Sequence, residues 1–551
     1  PHPAKRLPYG TAGFRDKAEN MPCAVTRAGL FACLLSHSSG SQCVGLMITA
    51  SHNAEEDNGI KIADVDGGML EQSWEKSVED IANSTEPLEA MNLIQELIEN
   101  HKISLNTPAH VVVGRDTRPS SFSLFECACR GIEAFGGTVH DIGTVTTPQL
   151  HFVVKRLNED MKSNPGSFPR AMDALELYYS RMCHGYFELR STAEYSHNDS
   201  IIIDAANGIG GRSVSVLSNV MLGLYPDALD IDIRNDVGSG PVNEGCGAEL
   251  VQKGQTPPAN VSEDDLNKCI CSYDGDADRI VFHSYANMSG TTDTQWYLAD
   301  GDKIACLVAL ILKQEFVAAG ILSEDGSPNE TGIRFGIVQT AYANGSSSHF
   351  LRENKVPVVF AKTGVKHLHR KSEEYFDVGI YFEANGHGTV IFSEAFMSLV
   401  AIWGVNSEMV VGVSPRVAMA RIRISALIKV INDAIGDAIS DMLAVLAILQ
   451  VLNMTVADWH RMYTDLPSKQ TKIPVAKKDH IKCADDEMTV VSPAALQDAL
   501  NEAMQRQGPM SRCFIRPSGT ENVVRIYAEA ATRSEADALV VAAADALAKF
   551  V

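Results

Sequence analysis

Three aspartates at alternating positions, Asp274, Asp276 and Asp278, form a candidate metal site. They lie in the segment DGDADR at 274–279, between an apolar run at 269–273 and another at 280–282. Three carboxylates this close repel one another, and a hard divalent cation would relieve the repulsion. An EF-hand is excluded because its sixth-position glycine and twelfth-position glutamate are missing. Three carboxylates leave room for a phosphate oxygen, which favours Mg²⁺ in phosphoryl transfer; a solvated acidic turn is the alternative interpretation.

Ser51 is the candidate nucleophile. It follows an apolar run at 44–48 that predicts a buried strand, and it lies in the segment TASHN at 49–53. A strand would fix the backbone of this serine while the loop exposes its hydroxyl. Arg15, in the glycine-containing segment YGTAGFR at 9–15, is a candidate phosphate partner. The alternatives are a serine- and asparagine-rich turn and a solvated arginine.

The segment VVVGRDTRP at 111–119 predicts a buried parallel strand followed by two arginines. In open α/β sheets, ligands collect at the carboxyl end of such strands. The chain has no GxxxxGK[ST] phosphate loop. A dinucleotide fingerprint starting at Gly208 is rejected because Ser213 stands where the third glycine is required.

The segment FEANGHGT at 382–389 offers a carboxylate, an amide and an imidazole two residues apart: Glu383, Asn385 and His387. On an extended chain these side chains would project to one side, where they could bind sugar hydroxyls. A glycine-rich turn is the alternative interpretation. Upstream, Lys366 and His367 offer further cations.

The segment RPSGTEN at 516–522 is a candidate phosphate clamp. Its hydroxyls and backbone N–H groups lie in a glycine turn flanked by Arg516 and Arg525, which together would form an anion nest. Arginine suits this role because its planar fork matches two phosphate oxygens. The alternative is an incidental turn.

Composition limits the kind of protein that positions these groups. The 551 residues are too many for one core and predict three to five domains. The net charge of -22 argues against a nucleic-acid or anionic-membrane binder. The 12 cysteines include no CxxC pair, which favours reduced thiols in a cytosolic protein. The N-terminal residues lack the apolar core of a secretory signal, and the apolar stretch at 442–452 is too short to span a membrane.

Predicted strands alternate with predicted helices through most of the chain, which indicates α/β layers. Strands are predicted at 44–48, 111–113 and 200–204, and helices at 73–100, 304–317 and 442–452. A polar linker predicted at 464–478 leads into a small C-terminal domain.

The four ordered motifs TASHN, DGDADR, FEANGHGT and RPSGTE resemble those of the α-D-phosphohexomutase superfamily. The segments YGTAGFR at 9–15 and GDAISDML at 436–443 make the chain most similar to the branch that acts on N-acetylglucosamine phosphate. One departure is Ala54, where the family usually has proline; this loosens the loop after the serine but removes no reacting group.

The resemblance implies interconversion of N-acetylglucosamine 6-phosphate and 1-phosphate through a phosphoserine enzyme and a 1,6-bisphosphate. It implies three similar mixed-sheet α/β domains and a smaller α+β C-terminal domain around a central cleft, with expected bounds 1–195, 196–296, 297–456 and 457–551. One Mg²⁺ would be held by Ser51, Asp274, Asp276 and Asp278. Arg15, His52, Lys61 and Arg115 would line the phosphoserine site. Lys61 or Arg15 would transfer the proton, because a crowded cationic site can depress a basic pKa. Glu383, Asn385 and His387 would bind sugar hydroxyls, with Lys366 and His367 as further substrate contacts. Arg516, Ser518, Gly519, Thr520 and Arg525 would bind the phosphate that does not react.

Three other functions stay open: another hexose-phosphate mutase (phosphoglucomutase or phosphoglucosamine mutase), a non-catalytic phosphosugar-binding regulator, and a phosphatase. The expected partner is a phosphorylated amino sugar, with no nucleic acid and no membrane. The protein is expected to be a cytoplasmic monomer or homodimer.

Overall fold

The computed structural model describes residues 3–10, 13–164, 168–194, 200–225, 229–287, 293–405, 413–518 and 522–551. The chain forms two compact units. The first comprises Pro1–Asp300, Asn385–Thr389 and Ile422–Ala457, and the second Gly301–Ala384, Val390–Arg421 and Asp458–Val551.

The first unit contains two five-stranded mixed sheets built on the same plan. In each, three parallel strands are extended by two antiparallel ones, in the orders β1-β3-β2-β4-β5 and β10-β9-β8-β6-β7. The strands of the first sheet are β1 (Phe14–Lys17), β2 (Val44–Ile48), β3 (Asp57–Ala63), β4 (His110–Arg115) and β5 (Thr138–Thr144). Those of the second are β6 (Ser200–Asp204), β7 (Asp230–Arg234), β8 (Cys269–Tyr273), β9 (Ile280–Asn287) and β10 (Thr294–Ala299).

Three smaller sheets follow in the chain. A four-stranded sheet has the order β12-β11-β13-β14, with the first three strands parallel. A three-stranded antiparallel sheet has the order β15-β19-β18, and β16 pairs with β17. The strands are β11 (Phe335–Thr340), β12 (Val358–Ala361), β13 (Val378–Phe382), β14 (Gly388–Phe392), β15 (Ser468–Pro474), β16 (Lys482–Cys483), β17 (Val490–Ser492), β18 (Arg512–Pro517) and β19 (Val523–Glu529).

Helices connect the parallel strands, as the alternating pattern predicts. The most apolar stretch of the sequence forms the first-unit helix α14, whose residues are nearly all buried. None of the described helices is long and apolar enough to cross a membrane. The helices are α1 (Pro22–Ser38), α2 (Gln72–Asn83), α3 (Pro87–Asn100), α4 (Ser121–Ala134), α5 (Thr147–Ser163), α6 (Ala171–Arg190), α7 (Gly210–Leu224), α8 (Ala248–Gly254), α9 (Gly301–Ala318), α10 (Gly345–Glu353), α11 (Val365–Tyr375), α12 (Glu394–Val405), α13 (Pro415–Val430), α14 (Ala438–Val451), α15 (Val456–His460), α16 (Ala494–Gln507) and α17 (Arg533–Leu547).

The three mixed sheets place three of the sequence motifs at equivalent positions. Three runs of strands have the same layout: β3-β2-β4-β5, β9-β8-β6-β7 and β14-β13-β11-β12. In each run, the last three strands are parallel, and the first is the strand that follows the second one in the chain. The serine segment follows β2, the aspartate segment follows β8, and the FEANGHGT segment follows β13. Each segment therefore leaves the carboxyl end of a parallel strand, which is where open α/β sheets collect ligands.

The predicted strands at 44–48 and 200–204 and the predicted α/β layers are confirmed. The polar linker predicted at 464–478 is wrong, because β15 forms inside it and pairs along its whole length with β19. An edge strand of mostly polar residues resembles a linker in sequence, since its pairing partner lies 49 to 61 positions away. The four domain bounds stay a prediction; β10 runs to Ala299, beyond the expected boundary at 296.

Candidate active site

The three aspartates lie together and buried in the turn between β8 and β9. One oxygen from each of Asp274, Asp276 and Asp278 lies within 4.8 Å of the others. The turn is fixed by its own backbone, since Asp274 Oδ1 accepts hydrogen bonds from the N–H groups of Asp278 at 3.1 Å and Arg279 at 3.2 Å. The sequence prediction that these carboxylates converge is therefore confirmed.

Each aspartate has one buried oxygen without a hydrogen-bond partner among the described residues: Asp274 Oδ2, Asp276 Oδ1 and Asp278 Oδ1. Buried carboxylate oxygens are costly to leave unsatisfied. Hard oxygen ligands are what Mg²⁺ prefers. The donor set fits a divalent cation.

Lys61, on β3, supplies positive charge to the aspartate cluster. Its Nζ lies 2.7 Å from Asp276 Oδ2 and 2.7 Å from Asp278 Oδ2. The ammonium thus binds the second oxygens of Asp276 and Asp278, and the Arg279 guanidinium adds positive charge 3.7 Å from Asp274 Oδ2 and from Asp278 Oδ1. These cations offset part of the negative charge of the three carboxylates, and a divalent cation would offset more of it.

The charges set the protonation of this cluster. Burial and the neighbouring Asp278 and Asp276 carboxylates raise the pKa of Asp274 well above its usual range. Burial also acts to raise the pKa of Asp278, but Lys61 and His387 outweigh it, so this pKa lies well below its usual range. For Lys61, burial lowers the pKa, yet Asp276 and Asp278 overcome this and the net pKa is raised. The nearest charges to Lys61 are carboxylates, so its pKa is not lowered, and which of Lys61 and Arg15 transfers the proton stays a prediction.

Ser51 directly contacts the aspartate turn at 274–279. The serine is 1% exposed, and its Oγ donates to Asp276 Oδ2 at 3.2 Å. Its φ of +50° is uncommon for a residue other than glycine and marks a constrained loop. Thr147, the first residue of α5, also donates to Asp276 Oδ2 through its hydroxyl. Thr147 lies outside all the sequence motifs, so no local pattern marks it as a site residue.

Arg118 holds the serine loop, although the sequence analysis named Arg115. The buried guanidinium of Arg118 donates to the carbonyl oxygens of Ser51 at 3.0 Å and Asn53 at 2.8 Å, and also to those of Ala54 and Asp57. It is paired with the Asp116 carboxylate at 3.1 Å. Arg118 thus ties four carbonyl groups of the serine loop together, including that of Ala54.

The structure does not bring Arg115 to Ser51. The Arg115 side chain pairs with Asp141 at 2.8 Å and lies over the ring of Phe125, 4.2 Å from its centroid. Although Arg115 ends the strand beside Ile48, its side chain turns to the next strand and to α4. The role predicted for this residue stays a prediction.

Arg15 and His52 lie beside the serine loop. Arg15 donates to Asn53 Oδ1 at 3.4 Å. Burial and the Arg279 cation lower the pKa of Arg15, and the three aspartates act against them. Burial, followed by Arg279 and Arg15, lowers the pKa of His52 to about 2, so its imidazole is neutral at physiological pH.

His387, which is expected to bind the sugar, contacts Asp278 in the aspartate turn at 274–279. Its Nδ1 lies 2.7 Å from the Asp278 carbonyl oxygen and 3.4 Å from Asp278 Oδ1. Asn385 accepts the His387 N–H at 2.9 Å and so closes the turn. Gly386 permits this packing, because its φ is +84° and a Cβ there would lie 1.8 Å from the Ile280 carbonyl oxygen. A sugar-binding role for Asn385 and His387 stays a prediction.

The second unit carries the phosphate-clamp candidates and Glu383, which directly follows β13. Arg516 on β18 and Arg525 on β19 are directly paired, and Arg525 is also paired with Lys472 on β15. Like charges on neighbouring strands repel one another, and Glu487 partly balances this row through its ion pair with Arg516 at 2.7 Å. The row supplies positive charge of the kind that binds a phosphate, and no sequence motif singles out Lys472.

The turn after β18 is only partly described. Gly519 and Thr520 lie outside the described residues. Ser518 is buried; its N–H donates to the Val523 carbonyl at 3.0 Å, and its own carbonyl accepts from Lys478. Lys366 and His367 lie in the first turn of α11.

Family models match consecutive stretches of the chain. The model of phosphoglucomutase/phosphomannomutase alpha/beta/alpha domain I matches residues 34–89 and 82–162, and the C-terminal domain model of that family matches residues 472–546. The models of phosphoacetylglucosamine mutase AMG1 domains II and III match residues 170–281 and 300–454.

Individual relatives are similar over nearly the full length. The phosphoacetylglucosamine mutase of Sus scrofa is 41% identical over 536 residues, which cover 97% of this chain and 92% of that protein. The crystal structure of Aspergillus fumigatus N-acetylphosphoglucosamine mutase in complex with GlcNAc-6P and magnesium has a TM-score of 0.87 at 38% identity, covering 99% of this chain and 96% of its own. A crystal structure of a serine-to-alanine variant of that fungal protein, in complex with glucose 1,6-bisphosphate, has a TM-score of 0.83 at 37% identity, covering 99% of this chain and 95% of its own.

Proposed function

The chain belongs to the phosphoacetylglucosamine mutase family of the α-D-phosphohexomutases, and on this premise we propose that it interconverts N-acetylglucosamine 6-phosphate and N-acetylglucosamine 1-phosphate. The observation that carries the proposal is the hydrogen bond from the Ser51 hydroxyl to Asp276, within a cluster of three buried aspartates. A phosphoryl group on Ser51 would lie against three carboxylates, so it needs a divalent cation between them, whereas a protein that only binds a phosphosugar has no need of a metal site beside a serine.

Ser51 Oγ is the atom that carries the phosphoryl group. Phosphoserine 51 donates the group to the free hydroxyl of the sugar: the sugar O–P bond forms and the Ser51 Oγ–P bond breaks. The proton-transfer residue takes the proton from the sugar hydroxyl, and a proton returns to Ser51 Oγ as the serine hydroxyl forms again. The resulting 1,6-bisphosphate turns round, and Ser51 Oγ takes back the phosphoryl group from the other end. Asp274, Asp276, Asp278 and the phosphoryl oxygens on Ser51 would hold Mg²⁺, which neutralises the charge on those oxygens.

The side chains around Ser51 keep the reacting atoms in place. Arg118 fixes the backbone of the loop, and Thr147 and Lys61 orient Asp276 Oδ2 toward the serine hydroxyl. Such fixed geometry lowers the entropic part of the barrier. Arg15 and the protonated Lys61 place positive charge beside the phosphoryl group, where it stabilises the transition state. The proton-transfer residue stays a prediction; of the two candidates, only Arg15 has a lowered pKa.

The row of cations on β18, β19 and β15 is proposed to bind the phosphate that does not react. The pairing of Arg516 with Arg525 and of Arg525 with Lys472 supports this role. Because the bisphosphate reverses its direction, these cations must accept the sugar in two orientations, which favours a charge-based contact over a shape-specific one.

A panel of sugar phosphates tests the proposal. We expect turnover of N-acetylglucosamine 6-phosphate with a kcat/KM well above that for glucose 6-phosphate or glucosamine 6-phosphate. Ser51→Ala should abolish turnover, whereas Ser123→Ala, which replaces an exposed serine in the first turn of α4, should not. Preference for an unacetylated sugar would identify another hexose-phosphate mutase, and release of free phosphate without a bisphosphate would identify a phosphatase.

We also propose a cytoplasmic monomer or homodimer that binds neither nucleic acid nor membranes. All 12 cysteines are free thiols, and most are buried, which supports a reducing compartment. The net charge of -22 supports the exclusion of nucleic acid.

A further inference from the structure

Glu487 lies in the turn that connects β16 to β17. Its φ of +59° is a left-handed conformation that residues other than glycine seldom adopt. The turn is closed by hydrogen bonds from the Glu487 N–H to the Ala484 carbonyl at 3.0 Å and from the Ala484 N–H to the Thr489 carbonyl at 2.8 Å. Only 12% of the glutamate side chain is exposed. A constrained backbone that turns a carboxylate inward marks a residue with a specific task.

The two oxygens of this carboxylate have different partners. Oε1 accepts from Nε of Arg516 at 2.7 Å. Oε2 accepts from both the N–H of Thr363 at 2.9 Å and the hydroxyl of Thr363 at 2.6 Å. All three residues belong to the second unit. One carboxylate therefore joins the clamp arginine to a loop that is more than 150 residues away in the chain.

Thr363 controls the start of a helix that carries further candidates. It lies two residues before α11, whose first turn contains Lys366 and His367. Fixing the N–H and the hydroxyl of Thr363 thus fixes the direction in which this helix begins. Glu487 is the link between that helix and Arg516.

We propose that Glu487 is a positioning residue for phosphosugar binding, which holds Arg516 and the start of α11 in register. The inference rests on the proposed function, because it takes Arg516 as a ligand of the substrate phosphate. The pair uses Nε of the guanidinium, so Glu487 does not engage the outer edge that carries Nη1 and Nη2. That edge is the one that binds two phosphate oxygens. Glu487 therefore aims the arginine and does not compete with the phosphate.

Steady-state kinetics on Glu487→Gln test the inference. The amide keeps the size of the side chain but offers only one acceptor oxygen for partners on both sides. We expect KM for N-acetylglucosamine 6-phosphate to rise about tenfold, the effect of losing one charge-assisted hydrogen bond, while kcat changes less than twofold. Thr363→Val removes only the hydroxyl bond and should raise KM by about threefold.

The matched control is Asp485→Asn in the same turn. Asp485 pairs with Lys362 at 2.9 Å, but its side chain is 94% exposed, so this variant should leave KM unchanged. If KM of Glu487→Gln stays at the wild-type value, or falls, the positioning role is wrong; a fall would identify Glu487 as a competitor of the phosphate. If Glu487→Gln does not fold, KM of Thr363→Val decides. Absence of mutase turnover in the wild-type protein would instead reject the proposed function.

Discussion

Lys61 is predicted to determine the stability of the metal-free protein. Its two contacts with Asp276 and Asp278 are both 2.7 Å long, and its side chain is only 6% exposed. Replacing it by methionine keeps the length of the side chain but leaves three buried carboxylates without their ammonium. Removing one partner of a buried ion pair typically costs about 3–5 kcal/mol.

The chain offers a matched control in Lys17. This lysine also lies close to two carboxylates, Glu56 at 3.0 Å and Asp57 at 2.8 Å, but its side chain is 50% exposed. Exposed ion pairs contribute about 0–1 kcal/mol. In EDTA, Lys61→Met should therefore lower the urea midpoint of unfolding by roughly 0.5–1 M, because the m value of a chain this long exceeds the value of about 1–3 kcal/mol/M that is typical of small proteins. Lys17→Met should shift the midpoint by no more than about 0.2 M.

Magnesium should reduce the difference in the urea midpoint of unfolding between Lys61→Met and the wild-type protein. The variant cluster carries one more uncompensated negative charge, so it should bind Mg²⁺ more tightly than the wild-type cluster does. At 100 times its dissociation constant, a ligand stabilises the folded state by about 2.7 kcal/mol. If Lys61→Met loses no more stability than Lys17→Met in EDTA, the role given to Lys61 is wrong. It is also wrong if Mg²⁺ increases the difference in urea midpoint between Lys61→Met and the wild-type protein.

Two further predictions concern buried titratable groups. Asp441 is buried, its Oδ2 has no hydrogen-bond partner among the described residues, and burial followed by the Asp437 charge raises its pKa well above 3.8. A raised folded-state pKa costs stability as pH rises above the unfolded value, so Asp441→Asn should raise the thermal midpoint at pH 8 but not at pH 4; equal shifts at both would contradict this. Burial, opposed by a hydrogen bond to Gly67, lowers the pKa of His151 from 6.5 to about 4. The neutral imidazole is fully compatible with the fold above pH 6.5, and the free energy of unfolding decreases by about 3 kcal/mol as pH falls toward 4. The urea midpoint of His151→Gln should therefore decrease less over that pH range than the midpoint of the wild-type protein does.

The sequence predicts a site residue best where the reactive side chain and the strand that positions it belong to one short segment. The aspartate turn and the serine segment each follow an apolar run that forms a buried strand, so their placement could be predicted locally. Arg516 also follows an apolar run that forms a strand, but its role in binding phosphate stays a prediction. The common plan of the three mixed sheets then puts the first three segments at matching strand ends.

The sequence missed residues whose role depends on distant partners. Arg118 holds carbonyl groups 61 to 67 positions away, and no local pattern distinguishes it from Arg115. His387 was expected at a sugar because imidazole suits hydroxyls, yet its Nδ1 bonds a carbonyl 109 positions away. Glu487 resembles an ordinary acidic turn until its two partners are known.

The measurement that tests the mechanism most directly is a single turnover of enzyme that carries ³²P only on Ser51. With unlabelled N-acetylglucosamine 6-phosphate, the label should appear in the 1-phosphate product, and the phosphate of the substrate should remain on Ser51. Phosphopeptide analysis of the enzyme before and after the turnover identifies the serine. If the product forms while the label stays on the protein, Ser51 is not the phosphoryl donor.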